Sequence, residues 1–455
     1  MLESITEMCK NLCAMKNKEK KTIEEGIGEL KIKEPNGFWW FGYTFLSHLP
    51  FFAPKYHPTY KIINDINEEK GPAFIIWNHQ SRRDYLFIKC IVQPRKFNMI
   101  AGYTEFHKAH LRPLFEKVSV IPKKNFVQDL LFIKFITKRI KEGGTISFSP
   151  EGMSSIYGCN QPIVPGTGKF LKHYKIPVYF MKLEGAYLSS HKTCTDDHPG
   201  KVFATLSRLY TKEDLERLTP EEIEEQINTL FTHDDYAWNK KMRIKYKTKG
   251  KAAVNMSSIA YKCPKCGKDM MIDNNNILKC ENCGNGCTVN DYYDFVPFDD
   301  TCVIPESLTK WVEFERGEII HEIRKDPNYS LSFECKIGDL PKYELIKDKK
   351  LGSMPCGEGK FTIDHQGLHF VGKRNGEDYK FDLPYEIYYT LVIEEATDCF
   401  SLYVNGEYIE IRPLDVRNVG KSLFLTEEMH RYHVNTWKHL PNIDYLYKGT
   451  ELEKK

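Results

Sequence analysis

The sequence predicts an α/β domain with a layered sheet and flanking helices, followed by a small zinc ribbon and a β-rich C-terminal domain. Short apolar runs alternate with helix-like segments from residue 73 to about 210. Two C-x-x-C pairs come next, and alternating apolar and polar residues broken by Asn-Gly turns fill the last third. Because 455 residues exceed one ordinary domain, two or three domains are expected.

The first region has the alternation that builds a layered sheet with its active site at strand ends. Its predicted strands are Ala73–Trp77, Phe97–Ala101, Val118–Ile121, Thr145–Ser149, Ile176–Leu183 and Val202–Leu209. Helices are predicted at Asp84–Val92, Glu105–Phe115, Phe126–Lys141 and Thr167–Tyr174. A further helix begins after Thr219, which forms a capping box with Glu222 and precedes Pro220 at the first helical position.

The last region is predicted to consist of β-hairpins. Asn375-Gly376 and Asn405-Gly406 are each flanked by alternating residues, and a third turn is predicted at 364–367. Helices are predicted near Glu306–Lys325 and Val416–Trp437, so the architecture resembles a pleckstrin-homology or GRAM-type domain. The predicted units are an N-terminal helical segment (1–36), the α/β domain with an aromatic helix (37–240), a basic linker (241–259), the ribbon (260–298) and the β-rich module (299–455).

Net charge and the distribution of apolar residues limit where the protein can be located and what it can bind. A net charge of +3 does not indicate a nucleic-acid binder. The N-terminus lacks a basic region followed by an apolar stretch, and no run of eighteen apolar residues occurs, so we expect neither a signal peptide nor a membrane span. The aromatic residues of Phe38–Leu46 and 50–52 favour a lipid–water interface or a helix that covers the sheet, and one element could do both. We therefore expect a cytoplasmic protein that associates peripherally with membranes.

His79 and Asp84 form the candidate catalytic pair. A hydroxyl is a poor nucleophile at neutral pH, and a histidine held by a carboxylate is a suitable base to activate it. On one continuous helix, residues five apart would point about 140° away from each other, so His79 must lie on the loop and Asp84 in the first helical turn. A competing explanation is that Ser81 and Asp84 are only a helix-capping pair.

Four blocks in order resemble the motifs of glycerolipid acyltransferases, typified by 1-acylglycerol-3-phosphate acyltransferase. The first is Asn78-His79-Gln80-Ser81 with Asp84. The second contains Glu105 and then 114–124, with Lys123 at the family's arginine position. The third, 149–155, is Ser-Pro-Glu-Gly-Met-Ser-Ser, and the fourth contains Val164-Pro165, Gly168 and 176–178. The resemblance covers about residues 70–210.

The resemblance implies that His79 deprotonates an acceptor hydroxyl, which attacks the thioester of acyl-CoA or acyl-carrier protein without a covalent acyl-enzyme. The implied acceptor is a lysophospholipid. The residues implied to bind it are Glu151 and Gly152, which would hold it, and Lys123 and Lys124, which would contact its phosphate. Two departures stand out: Ser154 occupies the position of the family's arginine, and Arg82 and Arg83 add two cations to the first block. We interpret these as relocation of positive charge, with Ser154, Arg82 and Arg83 lining the acceptor site.

Cys263, Cys266, Cys280 and Cys283 form two C-x-x-C-G knuckles, the pattern of a tetrahedral zinc site. Four cysteine ligands leave no open coordination position, so the zinc is expected to be structural, with no redox cofactor. Acidic neighbours argue against nucleic-acid binding. Cys287 is either a substitute ligand or a free thiol. A second metal site at His191, Cys194 and His198 is a minor alternative.

Two alternatives to the lysophospholipid enzyme stay open. The acceptor could be a different lipid alcohol, such as an amino-acid lipid or a glycolipid precursor. The fold could also serve as an inactive lipid- or protein-binding adaptor, although an adaptor has no need for an intact His79–Asp84 pair.

Overall fold

The computed structural model describes residues 21–434. Predictions that fall on 1–20 and 435–455, including the start of the N-terminal segment and the end of the last helix, lie outside the described residues. Within 21–434, no helix combines the length and the apolar character needed to cross a membrane.

Two short helices precede the first sheet: α1 (Ile23–Gly28) and α2 (Gly37–Ser47). Thr22 and Glu25 form a capping box that starts α1. The Asn36 side chain accepts from the Phe38 N–H and starts α2, which carries the aromatic segment. The aromatic stretch is therefore a helix, as predicted.

The first domain is built on a mixed seven-stranded sheet in the order β1-β7-β6-β2-β5-β3-β4. Neighbouring strands are parallel except for β6 and β7. The strands are β1 (Thr59–Ile62), β2 (Phe74–Trp77), β3 (Asn98–Gly102), β4 (Ile121–Lys123), β5 (Ile146–Phe148), β6 (Val178–Glu184) and β7 (Phe203–Tyr210). The central strand β2 is buried along its whole length, which explains its continuous apolar run.

Helices cover this sheet: α3 (Asp84–Ile91), α4 (Arg112–Lys117), α5 (Leu130–Lys141), α6 (Thr167–Tyr174), α7 (Ala186–Ser189), α8 (Lys212–Arg217), α9 (Pro220–Phe231) and α10 (Asp235–Met242). The capping box of Thr219 with Glu222 is confirmed. The prediction of one helix over Glu105–Phe115 is wrong. A 3-10 turn ends at His107, and α4 begins only at Arg112. Pro113 lacks an N–H and therefore fits only the first turn of α4.

The start of α5 is also later than predicted. Asp129 accepts a hydrogen bond from the Phe132 N–H at 3.0 Å, which fixes the first turn of the helix. Phe126, expected to be helical, has a left-handed φ of 57° instead. Residues 126–129 therefore form a loop that leads into α5.

The ribbon is a four-stranded antiparallel sheet of β8 (Met271–Asn274), β9 (Ile277–Cys280), β10 (Gly286–Val289) and β11 (Phe295–Pro297). The preceding segment, predicted as a basic linker, is not exposed throughout. Ala252, Ala253, Met256 and Ile259 are fully buried and belong to the central apolar core. This part of 241–259 therefore packs with the domains on either side.

The C-terminal module is a seven-stranded antiparallel sheet in the order β15-β14-β13-β12-β18-β17-β16. Its strands are β12 (Ser330–Asp339), β13 (Met354–Asp364), β14 (Gly367–Arg374), β15 (Glu377–Leu383), β16 (Val392–Ile393), β17 (Phe400–Val404) and β18 (Glu407–Pro413), flanked by α11 (Leu308–Lys325) and α12 (Arg417–His433). All three predicted turns join neighbouring strands. The module is therefore β-rich as predicted, whereas its likeness to a pleckstrin-homology or GRAM domain stays a prediction.

One apolar core joins the three parts of the chain. It contains Tyr157 from the first domain, Val289 from the ribbon, Trp311 from α11, and Phe400 and Phe424 from the C-terminal module. The ring centroids of Tyr157 and Phe424 are 6.1 Å apart. The loop that follows β5 is consequently packed against the C-terminal module rather than open to solvent.

Candidate active site

His79 lies on the loop after β2, and Asp84 is the first residue of α3. His79 Nδ1 is 2.8 Å from Asp84 Oδ2. The Asp84 side chain is 1% exposed, whereas that of His79 is 27% exposed. The carboxylate therefore holds the imidazole from its buried side as the acceptor of the Nδ1 proton, and Nε2 stays available to a substrate hydroxyl.

Asp84 accepts three further hydrogen bonds: from Gln80 N at 2.9 Å, Ser81 N at 3.0 Å and Ser81 Oγ at 2.7 Å. The competing explanation, in which Ser81 and Asp84 are only a helix-capping pair, is wrong. The residue before α3 is Arg83, no side chain caps the helix, and Asp84 is its first residue. Ser81 does not cap the helix because its hydroxyl donates to the Asp84 carboxylate. Ser81, Asp84 and His79 therefore form one hydrogen-bond network.

The Glu151 carboxylate fixes the backbone around His79. Its Oε1 accepts from His79 N and its Oε2 from Gln161 N, both at 2.7 Å, and Ser155 N donates to His79 O at 2.7 Å. These contacts form because β2 and β5 are adjacent and parallel, so the loops that follow them meet. Glu151 is fully buried, and burial raises the pKa of its carboxyl well above the usual range. With both oxygens occupied, its visible role is to hold the His79 loop.

Gly152 and Ser154 lie on the same loop. Gly152 has φ of +77°, and a Cβ there would come within 2.9 Å of Phe126 Cζ, so only glycine fits. Ser154 is 6% exposed and offers little surface to an acceptor. Binding of the acceptor by Glu151, Gly152 or Ser154 therefore stays a prediction.

Arg82 and Arg83 both pair with Asp197, which the sequence did not single out. Arg82 Nη2 is 2.9 Å from Asp197 Oδ1, and Arg83 Nη2 is 3.2 Å from Asp197 Oδ2. Lys55 Nζ is 2.8 Å from Oδ2. Burial opposes ionisation of Asp197, but hydrogen bonds from Lys55 and Arg82 outweigh it and hold the pKa of the carboxyl below its usual range. Glu395 of the C-terminal module approaches Arg82 Nη1 at 3.7 Å.

Lys55, Arg82 and Arg83 form a cluster of positive charge around Asp197, called the cation cluster below, and its two arginines lie on the loop that carries His79. Its side chains are 32%, 16% and 35% exposed, respectively. No sequence signal could have connected Lys55 and Asp197, because 142 residues separate them. The cluster is a candidate site for an anionic headgroup.

Comparison with known proteins identifies the first domain. Residues 57–181 match the family model described as Acyltransferase. This part of the chain belongs to the acyltransferase family. Among solved structures, the 1-acyl-sn-glycerophosphate (LPA) acyltransferase PlsC of Thermotoga maritima is similar over 42% of this chain and 76% of its own, at 16% identity and a TM-score of 0.36. No curated protein matches the chain.

Within the acyltransferase domain, Lys123 and Lys124 lie away from the cation cluster. Lys123 ends β4, where its Nζ donates to Lys124 O at 3.2 Å and lies 4.9 Å from the centre of the Phe132 ring. Burial lowers the pKa of the Lys123 ammonium. Lys124 Nζ pairs with Glu24 at 3.0 Å and donates to Gly406 O at 3.3 Å. Lys124 therefore connects the acyltransferase domain to α1 and to the β17–β18 turn, whereas the contacts of Lys123 stay within the domain.

The four knuckle cysteines come together beyond the acyltransferase domain and could bind a metal ion. Their sulfur atoms all lie within 4.8 Å of one another, and the Cys263–Cys283 and Cys266–Cys280 pairs are 3.7 Å apart. Four sulfurs at zinc–sulfur bonds of 2.3 Å would be about 3.8 Å apart in a tetrahedron, so the spacing fits. Cys287 is buried in β10 and is not in the group.

The minor alternative of a second metal site does not fit the geometry. His191 Nε2 is 3.3 Å from His198 Nδ1, whereas Cys194 Sγ is 3.8 Å from His198 Nε2. His191 and Cys194 therefore contact different nitrogens of the His198 ring, and the three side chains do not converge on one point. Among the described residues, only the knuckle cysteines form a candidate metal group.

Proposed function

We propose that the chain is an O-acyltransferase that moves a fatty acyl group from acyl-CoA or acyl-carrier protein to the free hydroxyl of a lysophospholipid. The acceptor we favour is 1-acylglycerol-3-phosphate. The observation that carries the proposal is the 2.8 Å contact between His79 Nδ1 and Asp84 Oδ2 inside a domain of the acyltransferase family.

The reaction uses His79 as a general base. Its Nε2 takes the proton of the acceptor hydroxyl while the hydroxyl oxygen attacks the thioester carbonyl. The tetrahedral intermediate collapses, the carbon–sulfur bond breaks, and the proton on His79 passes to the leaving thiolate. Asp84 stabilises the imidazolium that exists between these two transfers. Glu151 keeps the His79 loop in place through its hydrogen bond to His79 N.

The cation cluster is the better candidate for the acceptor phosphate. Arg82 and Arg83 follow His79 by three and four residues, at the end of β2. Lys123 ends β4, three strands away in the order β2-β5-β3-β4, which corresponds to on the order of 14 Å between backbones. Guanidinium groups also match phosphate geometry better than ammonium groups do. Lys123 and Lys124 remain candidates for a more distant part of the donor or acceptor.

We further propose that α2 and the turn after it lie on the membrane surface. Phe38, Phe41, Phe45 and Phe51 are 74%, 70%, 58% and 83% exposed. No acidic residue occurs between Pro35 and Asn64 in the sequence. An exposed aromatic face without negative charge is suited to the headgroup region of an anionic bilayer. A membrane-bound acceptor could then reach His79 without leaving the lipid.

The metal in the ribbon is proposed to be zinc with a structural role. Four thiolates favour zinc, and four ligands leave no open position for catalysis. Of the four cysteines, only Cys263 and Cys280 are buried, so solvent can reach the cluster from one side. When bound, the ion would hold the two knuckles together and contribute folding energy to the small ribbon sheet.

An acyl-transfer assay with purified protein tests the enzyme. We expect acylation of 1-acylglycerol-3-phosphate by parent protein and loss of at least about 10²-fold in kcat for His79→Ala, since general-base catalysis contributes about that much. His110→Ala is the matched control, because His110 is exposed. Acylation by His79→Ala at the parent rate would refute the mechanism.

Vesicle binding tests the membrane surface. In sedimentation with phosphatidylglycerol-containing vesicles, we expect Phe41→Ser to weaken binding about tenfold. Moving one phenylalanine side chain from water into an apolar environment contributes about 1.5–3 kcal/mol of free energy. The control is Val371→Ser, which alters an apolar residue of similar exposure, 67%, in β14. Equal losses in the two variants would exclude a dedicated lipid face on α2.

A different lipid alcohol is the second candidate acceptor. Ser154 lacks the guanidinium found in the family, and Asp197 neutralises part of the charge on Arg82 and Arg83. An acceptor panel with and without a phosphate group separates the two candidates. Equal kcat/KM for monoacylglycerol and 1-acylglycerol-3-phosphate would favour the second.

A further inference from the structure

The loop that joins α7 to β7, defined here as the clamp loop (residues 190–198), holds Arg82. Arg82 Nη1 donates to Cys194 O at 3.2 Å, and Nη2 donates to Thr195 O and to Asp197 Oδ1, the latter at 2.9 Å. Asp197 also binds Arg83, as described above. The clamp loop therefore determines where both guanidinium groups of the cation cluster lie.

The ribbon supports the clamp loop from its buried side. Tyr293, in the turn between β10 and β11, donates from its hydroxyl to Leu188 O at 3.0 Å and accepts from His198 Nδ1 at 2.7 Å. Tyr293 is 3% exposed and His198 is 1% exposed. The two bonds attach the ribbon to Leu188 in α7, two residues before the clamp loop begins, and to His198, the last residue of the loop. Tyr293 is 105 residues from Leu188 and 95 residues from His198 in sequence, so the bonds are a direct tertiary link.

The protonation states of His198 and Tyr293 allow both hydrogen bonds of this link to form together. Burial lowers the pKa of His198 to about 4, so its ring is neutral near pH 7. A neutral ring protonated on Nδ1 donates to the tyrosine oxygen, and the tyrosine hydroxyl then donates its own proton to Leu188 O. His198 N additionally donates to Ser189 O at 2.8 Å, which closes the clamp loop on itself.

Two further contacts join the clamp loop to the segment that precedes the ribbon. Asn255 Nδ2 donates to Thr193 O at 3.0 Å. Lys251 pairs with Asp196 at 2.6 Å, with side chains 47% and 55% exposed, so this ion pair contributes little. Ala396 N of the C-terminal module also donates to Lys192 O at 2.9 Å. Tyr293 is the support that reaches the last residue of the clamp loop, directly after Asp197.

We propose that Tyr293 is a positioning residue for the acceptor headgroup: the ribbon, through Tyr293, holds the clamp loop and thereby sets Arg82 and Arg83 for an anionic acceptor. The inference rests on the proposed function, since it needs an acceptor whose phosphate binds the cation cluster. It gives the ribbon a task in substrate recognition although the ribbon touches no substrate.

Steady-state kinetics of Tyr293→Phe test the inference. The variant keeps the ring in the core but removes both hydrogen bonds. We expect KM for 1-acylglycerol-3-phosphate to rise about tenfold, with kcat, KM for acyl-CoA and metal content near parent values, because loss of a buried hydrogen bond changes binding by about that factor. Tyr292→Phe is the matched control, since the neighbouring ring packs on Arg243 at 4.5 Å and does not reach the clamp loop through its hydroxyl.

Hydrogen–deuterium exchange of the clamp loop distinguishes this role from general loss of stability. Faster exchange confined to residues 190–198 together with the selective rise in KM would support the inference. An active Tyr293→Phe with unchanged KM for the acceptor, or equal changes in both KM values and kcat, would overturn it and leave the proposed function intact. If the parent protein itself acylates no lysophospholipid, the proposed function fails and the inference fails with it.

Discussion

Replacing Asp84 with asparagine should lower kcat by about 10²–10³-fold while leaving both KM values near those of the parent. The carboxylate lies 2.8 Å from His79 Nδ1. At an effective dielectric constant of about 20, two unit charges about 4 Å apart attract by about 4 kcal/mol, which corresponds to about 10³-fold in rate. Since the His79 side chain is 27% exposed, solvent screening moves the expectation toward the lower end.

The variant should also lose stability, and the hydrogen bonds indicate how much. An asparagine can keep its oxygen toward His79 and turn its amide toward Ser81, where the serine hydroxyl can rotate to accept. The Ser81 N–H, which is 3.0 Å from Asp84 Oδ1, is then left facing another donor. One such unmatched buried donor costs about 1–3 kcal/mol in the free energy of unfolding.

The assay is continuous release of the free thiol from acyl-CoA at saturating acceptor, with urea unfolding run in parallel. Ser81→Ala is the first control, because it removes one donor to Asp84 but keeps the carboxylate, and its kcat should fall less than about tenfold. Asp214→Asn changes a carboxylate in the first turn of α8, distant in sequence from the site, and should have no effect on kcat. An Asp84→Asn protein that is folded and retains kcat within a factor of ten of the parent would refute the reasoning.

Three further predictions follow from the same contacts. Lys89 is fully buried with Nζ 3.8 Å from the centre of the Trp40 ring, and burial lowers its pKa from 10.5 to about 8. Between those pH values the unfolded chain binds more protons than the folded one, so the free energy of unfolding should rise with pH from 8 to 10.5. Lys89→Met should abolish that rise in urea titrations. At pH 7 the variant should increase the free energy of unfolding by about 1–2 kcal/mol, after subtraction of the lost cation–π contact. Cys283→Ser should halve or abolish the metal content measured by atomic absorption and lower the unfolding temperature, whereas equal metal content would exclude the four-sulfur site. Arg83→Gln should raise KM for a phosphate-bearing acceptor about tenfold more than Lys124→Gln does, and the reverse order would move the phosphate to the lysines.

Local patterns predicted most of the elements, and the failures have tertiary causes. Five of the six predicted strands overlap β2, β3, β5, β6 and β7 over most of their length, whereas the predicted strand Val118–Ile121 shares only Ile121 with β4. β1 escaped prediction because all four of its residues are exposed, and it is recognised only by its parallel pairing with β7. The Asn-Gly turns were predictable because both positions require positive φ: 52° at Asn375 and 87° at Gly376.

The contacts of the candidate site are likewise of two kinds, those between residues close in sequence and those between distant residues. His79 and Asp84 are five residues apart, so a sequence motif records their contact, and the cysteine knuckles are equally local. The cation cluster depends on Lys55 and Asp197, and the support of the clamp loop depends on Tyr293, whose contacts no short motif records. Contacts between residues of one loop were therefore predictable, whereas contacts between distant parts of the chain were not.

The packing of the loop after β5 gives a physical reason for the absence of an arginine at position 154. Met153, Ile156 and Tyr157 belong to the core shared with the C-terminal module, and Ser154 between them is 6% exposed. A guanidinium at position 154 would have to be buried beside this apolar core, where an unpaired charge costs several kcal/mol. The end of β2 lies outside that core and has Asp197 as a partner for Arg82 and Arg83. With the C-terminal module packed over the third motif, Arg82 and Arg83 of the first motif are better placed than position 154 to meet an anionic acceptor.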